Sequence, residues 1–414
     1  MDKDTTKSTF NKVFESLPYE DFCNLIAASN VDKYVKKLKM IKLLYILVIA
    51  QMTQTESLIA LADKITQDEY LQKALHLTSI SASALSRRIR SIHHDSWAQI
   101  FSSIARNTTR SMAAKASCEP KDYRINIIDA STISLCLSKY LWAEFRGTKA
   151  GIKLHQRVML HEGQAYPDKA ILTPAKPADR SQLDELVNTD KDVLNVFDRG
   201  YVDYKRWDDY CEQGIRFVSR LKANAIIDVV KSGVIQVNGS AITERTVVLG
   251  KPQTTQMQHP LRLFETHDSQ GNPVIIVTND FGMDALDITE IYRLRWQVEL
   301  FFKWVKQHLR VKKFYGTSPN AVYSQIWIAL ITFCLLRIVQ QDLPKSKTLL
   351  DVLRAVVNYL YQPFEQIVSM FRRSVKRSLG RRRFDYLNEF ERLTKQLEEI
   401  DTSCLDEMVE ELYV

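Results

Sequence analysis

With 414 residues, the chain is long enough for two or three domains and a substantial core. Its 57 Lys plus Arg against 49 Asp plus Glu leave a net charge of +8 and a pI near 9.0. That moderate basic excess suits a polyanionic partner and equally an ordinary basic enzyme. The six cysteines (Cys23, Cys118, Cys136, Cys211, Cys334, Cys404) are scattered with no Cys-x2-Cys pair, which argues against a zinc or disulfide framework and suits a reducing cytosol.

Residues 1–118 are helical in pattern, with almost no strand signal. The opening Met1-Asp2-Lys3-Asp4 is polar, unlike a signal peptide. Within this region, residues 68–92 suggest a helix–turn–helix. Tyr70, Leu71, Ala74 and Leu75 have helical spacing, Thr78-Ser79-Ile80-Ser81 makes a break, and Ala82 to Ile92 forms a second helix. Leu85 and Ile89 then point inward and Arg87, Arg88 and Arg90 outward, toward phosphates or a groove. A surface amphipathic helix pair would show the same pattern.

A strand is predicted from Tyr123 to Asp129, with Asp129 at its end and Ala130-Ser131-Thr132 following. Gly151 to Leu160 and Ala170-Ile171-Leu172 look like the next strands. Lys153 and His155 alternate on one face, either as edge-strand polar groups or as DNA contacts; no second His stands at ligand spacing from His155. Pro174, Pro177 and Asp179 mark a loop before a helix at about 181–187. Val193 to Asp198 reads as a buried strand that Arg199-Gly200-Tyr201 ends. An Asp in that place is often a turn former or cap. Two of them on adjacent parallel strands, with a helix Glu nearby, would crowd three carboxylates together. Such anions repel unless a divalent metal with hard oxygen ligands, Mg²⁺ or Mn²⁺, joins them.

From about 221 to 275 come strand-like runs at 226–230, 234–237, 246–249 and 261–264, with Asn238-Gly239 and Gly271-Asn272 as turns. They predict a β-rich insertion that contains no Trp or Tyr and whose only large aromatic is Phe264. The run from Ile291 to Lys306 follows. On one helix, Tyr292, Arg295, Glu299 and Lys306 fall at about 0°, 300°, 340° and 320°, while Leu294, Val298, Phe301 and Val305 take the opposite, core-facing side. A solvated face of mixed charge would look similar. A carboxylate flanked by cations on an anchored helix also suits a metal-dependent site acting on a polyanion. Trp296, near 40°, reads as a core residue.

The apolar run Ile326 to Leu336 reads as a buried core helix, too short to span a bilayer. Residues 343–414 form a helical tail. It is basic from Arg372 to Arg383 and acidic from Glu398 onward, suiting a DNA clamp or a dimerisation element. No Gly-x4-Gly-Lys-Ser/Thr loop is present, so a nucleotide cofactor is not implied.

Taken together, Asp129, Asp198 and Glu299 resemble the catalytic triad of the DDE transposases. The Tyr292/Arg295/Glu299/Lys306 spacing is similar to the Y-x2-R-x3-E-x6-K signature of the insertion-sequence-4 family. Asp129-Ala130-Ser131-Thr132, Asp198-Arg199-Gly200-Tyr201 and Thr278-Asn279-Asp280 match as well, and the resemblance covers residues 120–340 firmly. It implies an α/β ribonuclease-H-like mixed-sheet core at 119–342 carrying the β-rich insertion. A DNA-binding helical domain would precede it at 1–118, and a helical region at 343–414 would follow. It further implies two Mg²⁺ or Mn²⁺ ions on Asp129, Asp198 and Glu299, DNA contacts from Tyr292, Arg295, Lys306 and Arg199, and an aromatic of the insertion that holds a flipped base, for which only Phe264 stands there and Trp296 is another candidate. The activity implied is cut-and-paste transposition through a hairpin, by a homodimer on double-stranded DNA ends and target, in the bacterial cytoplasm without a membrane. A plain nuclease on the same fold, or a non-cutting DNA-binding descendant of a transposase, stands beside that reading.

Overall fold

The computed structural model describes residues 7–115, 124–161, 163–237, 240–267, 273–344 and 346–372. The basic stretch after Arg372, the acidic end, and the turn residues Asn238-Gly239 and Gly271-Asn272 lie outside them.

The first third is a run of helices: α1 (Thr9–Phe14), α2 (Tyr19–Ser29), α3 (Met40–Met52), α4 (Leu58–Gln67), α5 (Glu69–Leu75), α6 (Ala82–Ser91) and α7 (His94–Lys115). Ser8, Ser57, Asp68 and Ser81 start four of them, each side chain accepting the backbone N–H three residues on. Then come β1 (Arg124–Leu135), β2 (Glu144–Arg146), β3 (Lys149–His161), β4 (Gln164–Pro174), α8 (Leu183–Leu186), β5 (Val193–Phe197), α9 (Tyr204–Gln213) and β6 (Arg216–Arg220). The chain continues through β7 (Ile227–Val237), β8 (Ser240–Leu249), β9 (Leu261–His267), β10 (Pro273–Thr278), α10 (Ala285–Leu294), α11 (Trp296–His308), α12 (Pro319–Gln341), α13 (Leu349–Asn358) and α14 (Phe364–Arg372).

All ten strands form one sheet in the order β2-β3-β1-β5-β6-β10-β9-β8-β7, with β4 also on β3. β1, β3 and β4 make an antiparallel meander, and β5 and β6 run parallel to β1 on its other side. This is the ribonuclease-H-like mixed sheet that the sequence predicts. The insertion does not form a separate body: β10, β9, β8 and β7 extend the same sheet by antiparallel pairing. Thr278-Asn279-Asp280 fastens that extension. Thr278 Oγ1 donates to Phe217 O, the Phe217 N–H donates to Asn279 Oδ1, and Asp280 accepts from the Arg216 guanidinium at 2.6 Å.

Strand alternation splits the sheet's side chains between two cores. Ile127 and Val196 face the large helical core of α3, α7, α11 and α12, while Ile128 and Phe197 face Leu183, Trp207 and Phe217 on the other side. The apolar run 326–336 lies inside a helix of 23 residues, so the sequence expectation of a segment too short to cross a bilayer is corrected. α12 has the length and apolarity to do so, yet 89% of its apolar window is buried inside the protein, against α3, α7 and α13. A helix apolar all round has to be surrounded, and here protein surrounds it. Gln51 of α3 ties the two core helices together, giving an amide N–H to Gln325 O and accepting the Arg310 N–H at 2.7 Å.

Candidate active site

Ile128 of β1 stands opposite Phe197 of β5 in parallel register, so Asp129 and Asp198 are the next pair along the two strands. Alternation aims both at the face that carries Ile127, Val196 and the helices. β5 stops at Phe197, and Asp198 caps the 3-10 turn Arg199–Tyr201 by accepting the Gly200 N–H at 2.9 Å. β1 does not stop where the sequence suggests. It runs on to Leu135 because β3 pairs with it along that whole length, so Asp129 lies within a strand at the point where its parallel neighbour ends.

The segment 291–306 also differs from the single helix read from sequence. α10 ends at Leu294 and α11 begins at Trp296. At the joint, the Arg295 N–H donates to Tyr292 O and the Val298 N–H to Arg295 O, both 3.1 Å, a three-residue spacing that tightens the turn. Arg295 keeps right-handed helical angles (φ −51°, ψ −32°), so the polar stripe is kinked without being scattered. Val298, Phe301, Phe302 and Val305 are buried against the helical core and anchor α11. Each such side chain is worth about 1.5–3 kcal/mol on full burial.

Arg295 joins the parts. Its guanidinium lies 2.5 Å from Glu299 Oε1 and 3.5 Å from Asp129 Oδ2. Lys306 donates to Ser131 Oγ at 2.7 Å and Thr132 O at 2.9 Å, holding β1 just beyond Asp129. Burial, then the charge of Asp198, pushes the Asp129 carboxyl up to about 7, against the pull of Arg295 and the Ala130 N–H and with a further push from Glu299. Burial raises the Tyr292 phenol, which also feels Arg295, Asp198 and Arg220. Burial works to lower the Arg295 guanidinium, but Glu299, Tyr292 and Asp129 outweigh it and raise it. Burial, with help from Lys312, lowers the Lys306 ammonium. A buried carboxyl that resists ionising beside two other acids is a donor set that a divalent cation would relieve. In this structure the Arg295 cation lies between two of the three. Among the described residues, the group of three possible ligands with donor atoms all within 4.8 Å is His93, His94 and Asp95 at the start of α7, not the acidic triad.

Other predicted residues sort unevenly. Arg199 is exposed beside Asp198, and Arg87 and Arg90 are exposed on α6. Arg88 is not outward: it is 8% exposed, donates to Val31 O and Leu38 O at 2.9 Å each, and pairs with Asp32. It sits on the flank of the Leu85/Ile89 face, close enough to be drawn in. Lys153 and His155 do not reach outward for DNA. Lys153 donates to Pro177 O and pairs with Asp179 at 2.9 Å. His155 is fully buried against Thr173 and held neutral, burial pushing it down to about 4. Phe264 is fully buried beneath the Arg262 guanidinium, 5.0 Å from its ring centre, so it cannot receive a base. Trp296 is 56% exposed, which overturns a core role. Sequence reasoning missed Arg220 at the carboxyl end of β6, near Tyr292, and Ser131 as the partner of Lys306. A cation closing a strand parallel to two Asp-bearing strands was the available signal for Arg220.

Residues 120–335 match the Transposase DDE domain model, and the chain belongs to that family. Residues 5–75 match a second model, Domain of unknown function (DUF4372). The chain is 33% identical over 262 residues to the "Probable transposase for insertion sequence element IS5377" of Geobacillus stearothermophilus, covering 62% of this chain and 66% of that one. It is 32% identical over 201 residues to y4zB of Sinorhizobium fredii, also described as a transposase, covering 48% and 56%. The chain thus spans just under two thirds and just over half of these relatives. A solved piggyBac transposase synaptic complex with hairpin DNA overlaps with a TM-score of 0.42 at 11% identity, covering 89% of this chain and 83% of that one.

Proposed function

We propose that the chain catalyses metal-dependent cut-and-paste DNA transposition, cleaving transposon ends through a hairpin and joining them to target DNA. The observation that carries this reading is that Asp129 and Asp198 directly follow the paired Ile128 and Phe197 on parallel strands, with Glu299 linked to Asp129 through Arg295. Residues 1–118 would bind DNA, 119–342 would carry the chemistry, and 343–414 would clamp DNA or dimerise. A homodimer would act on two ends, on DNA in the cytoplasm.

Asp129, Asp198 and Glu299 would hold two Mg²⁺ or Mn²⁺ ions, which supply activation of water or a 3′-hydroxyl and neutralisation of the leaving oxygen. Asp129, whose carboxyl is held up to about 7, would hold an ion in its ionised form. Arg295 offers a planar fork to phosphate oxygens, Lys306 a point charge beside β1, and Arg199 an exposed cation beside Asp198. Tyr292 is a phenol kept protonated, hence a donor to a phosphate. Extruding a base to relieve the hairpin costs roughly a few kcal/mol. The exposed Trp296 ring, next to Arg295, is the surface on which that base would stack.

Incubating purified protein with labelled element-end DNA and Mg²⁺ tests the reading. Hairpin and joined products are expected; cleavage alone would make the chain a nuclease, and binding alone a regulator. Asp129→Asn should abolish cleavage and retain end binding. A variant that cuts at the unaltered rate would make Asp129 structural.

A further inference from the structure

The buried Arg88 organises the segment between α2 and α3. Its Nε and Nη1 hold the Leu38 and Val31 carbonyls, its charge pairs with Asp32, and Asp32 in turn accepts the Met40 N–H at 2.9 Å. Every polar group of that clamp is turned inward, and what remains faces out. Lys33, Lys36, Lys37 and Lys39 are all exposed. None has an ion-pair partner among the described residues. Between them Tyr34 is 91% exposed with φ +62°, a left-handed conformation that costs a tyrosine and suits Gly or Asn. The Lys33 ammonium lies 5.3 Å from the ring centre.

The segment borders an open cleft of about 880 Å³ that also takes in Arg87 and His93, and no carboxylate lines it. An unpaired cluster of one sign around a projecting aromatic fits a nucleic-acid backbone, with lysines on phosphates and the ring on the sugar–base unit between them. The surface also shares one compact unit with the catalytic body. Asn320 of α12 donates to Ile92 O at 2.8 Å and accepts the His94 N–H at 2.7 Å, at the junction that follows α6.

We propose that the Lys33–Lys39 segment, clamped by Arg88 and flanked by Arg87, is a DNA-backbone contact surface on which Tyr34 packs against a sugar–base unit. The proposal rests on the transposase reading. It is tested with a short fluorescein-labelled DNA duplex, followed by anisotropy over a range of KCl. Lys33→Ala/Lys36→Ala/Lys37→Ala should weaken binding and flatten the log–log salt slope by up to about 2.7, at about 0.9 for each phosphate no longer neutralised. Tyr34→Gly should bind more weakly because the ring's contact with the sugar is lost, while its thermal midpoint rises because the strained φ is relieved. Tyr34→Phe keeps the ring and should bind like the unaltered chain. Variants that fold normally and bind with unaltered affinity and slope overturn this proposal alone, as does a Tyr34→Phe that binds as weakly as Tyr34→Gly. Failure of the unaltered chain to bind duplex at all would instead sink the transposase reading.

Discussion

Two half-hidden arginines, Arg88 on α6 and Arg295 between α10 and α11, each bridge an acid to something else, and they do opposite work. Arg88 is spent on Val31 O, Leu38 O and Asp32 within one short loop, and its side chain is 9% exposed. Arg295 is 19% exposed and spans two acids that are far apart in sequence, Asp129 and Glu299. An arginine bound to backbone carbonyls has no better partner to exchange into. One set between carboxylates that repel each other would, on the proposed function, hold a place that a metal ion takes in turn, because both states leave the charges compensated.

Truncating each arginine tests that contrast, with the largest effect at Arg88. Arg88→Ala leaves Asp32 without its buried partner and frees two carbonyls, so a destabilisation of about 3–5 kcal/mol is expected. The thermal midpoint should fall equally in EDTA and in Mg²⁺. Arg295→Ala should also lower it in EDTA, since Asp129 and Glu299 then face each other uncompensated. Mg²⁺ should restore it. Equal recovery of both variants, or of neither, would erase the distinction.

A smaller effect, with a definite sign, concerns Asp129. Its folded carboxyl titrates at about 7, above the ordinary 3.8. The metal-free fold therefore binds that proton more tightly than the unfolded chain. The resulting stabilisation is complete below about pH 4 and is lost as pH rises through 7. Asn carries no such penalty. In EDTA, Asp129→Asn should be more stable than the unaltered chain at pH 8, by on the order of a few kcal/mol at most, and the gap should close as pH falls to 4. Saturating Mg²⁺ should reverse the order, because the unaltered chain gains a ligand-bound state that the variant lacks. Parallel melting curves across pH would expose Asp129 as an ordinary surface acid.

Strand periodicity carried the core of the fold. Apolar runs at 125–128 and 193–197 were legible because both faces of those strands are buried, which leaves little room for another pattern. The limits came from partners that a single segment does not reveal. β1 continues past Asp129 because β3, further along the chain, pairs with it. The kink at Arg295 has no Pro or Gly to announce it; only the tightened bonds on either side show it. Arg88 reads as outward on a helical wheel, but the carbonyls that draw it in come from a loop far earlier in the chain. Phe264 and Trp296 exchange their expected places for the same reason. Phe264 packs in the helical core with Ile276 and Ile288 of α10, and Trp296 stands exposed at the start of α11.

Trp296 offers the finest cut between the two regions. A half-exposed tryptophan that only rounds off a helix start can be removed with a change within about ±0.5 kcal/mol. Trp296→Ala should therefore melt like the unaltered chain and bind end DNA with similar affinity. If the ring receives an extruded base, the same variant should nick ends at the normal rate, then accumulate nicked DNA at the expense of hairpin and joined products. Base–aromatic stacking worth about 1–3 kcal/mol corresponds to a slowing of roughly five- to a hundredfold at that step. An end with an abasic site at the extruded position should make the two proteins alike, since neither then has a base to stack. A uniform slowing of every step, nicking included, would mean that the tryptophan supports the Arg295 turn and leaves the base to another surface.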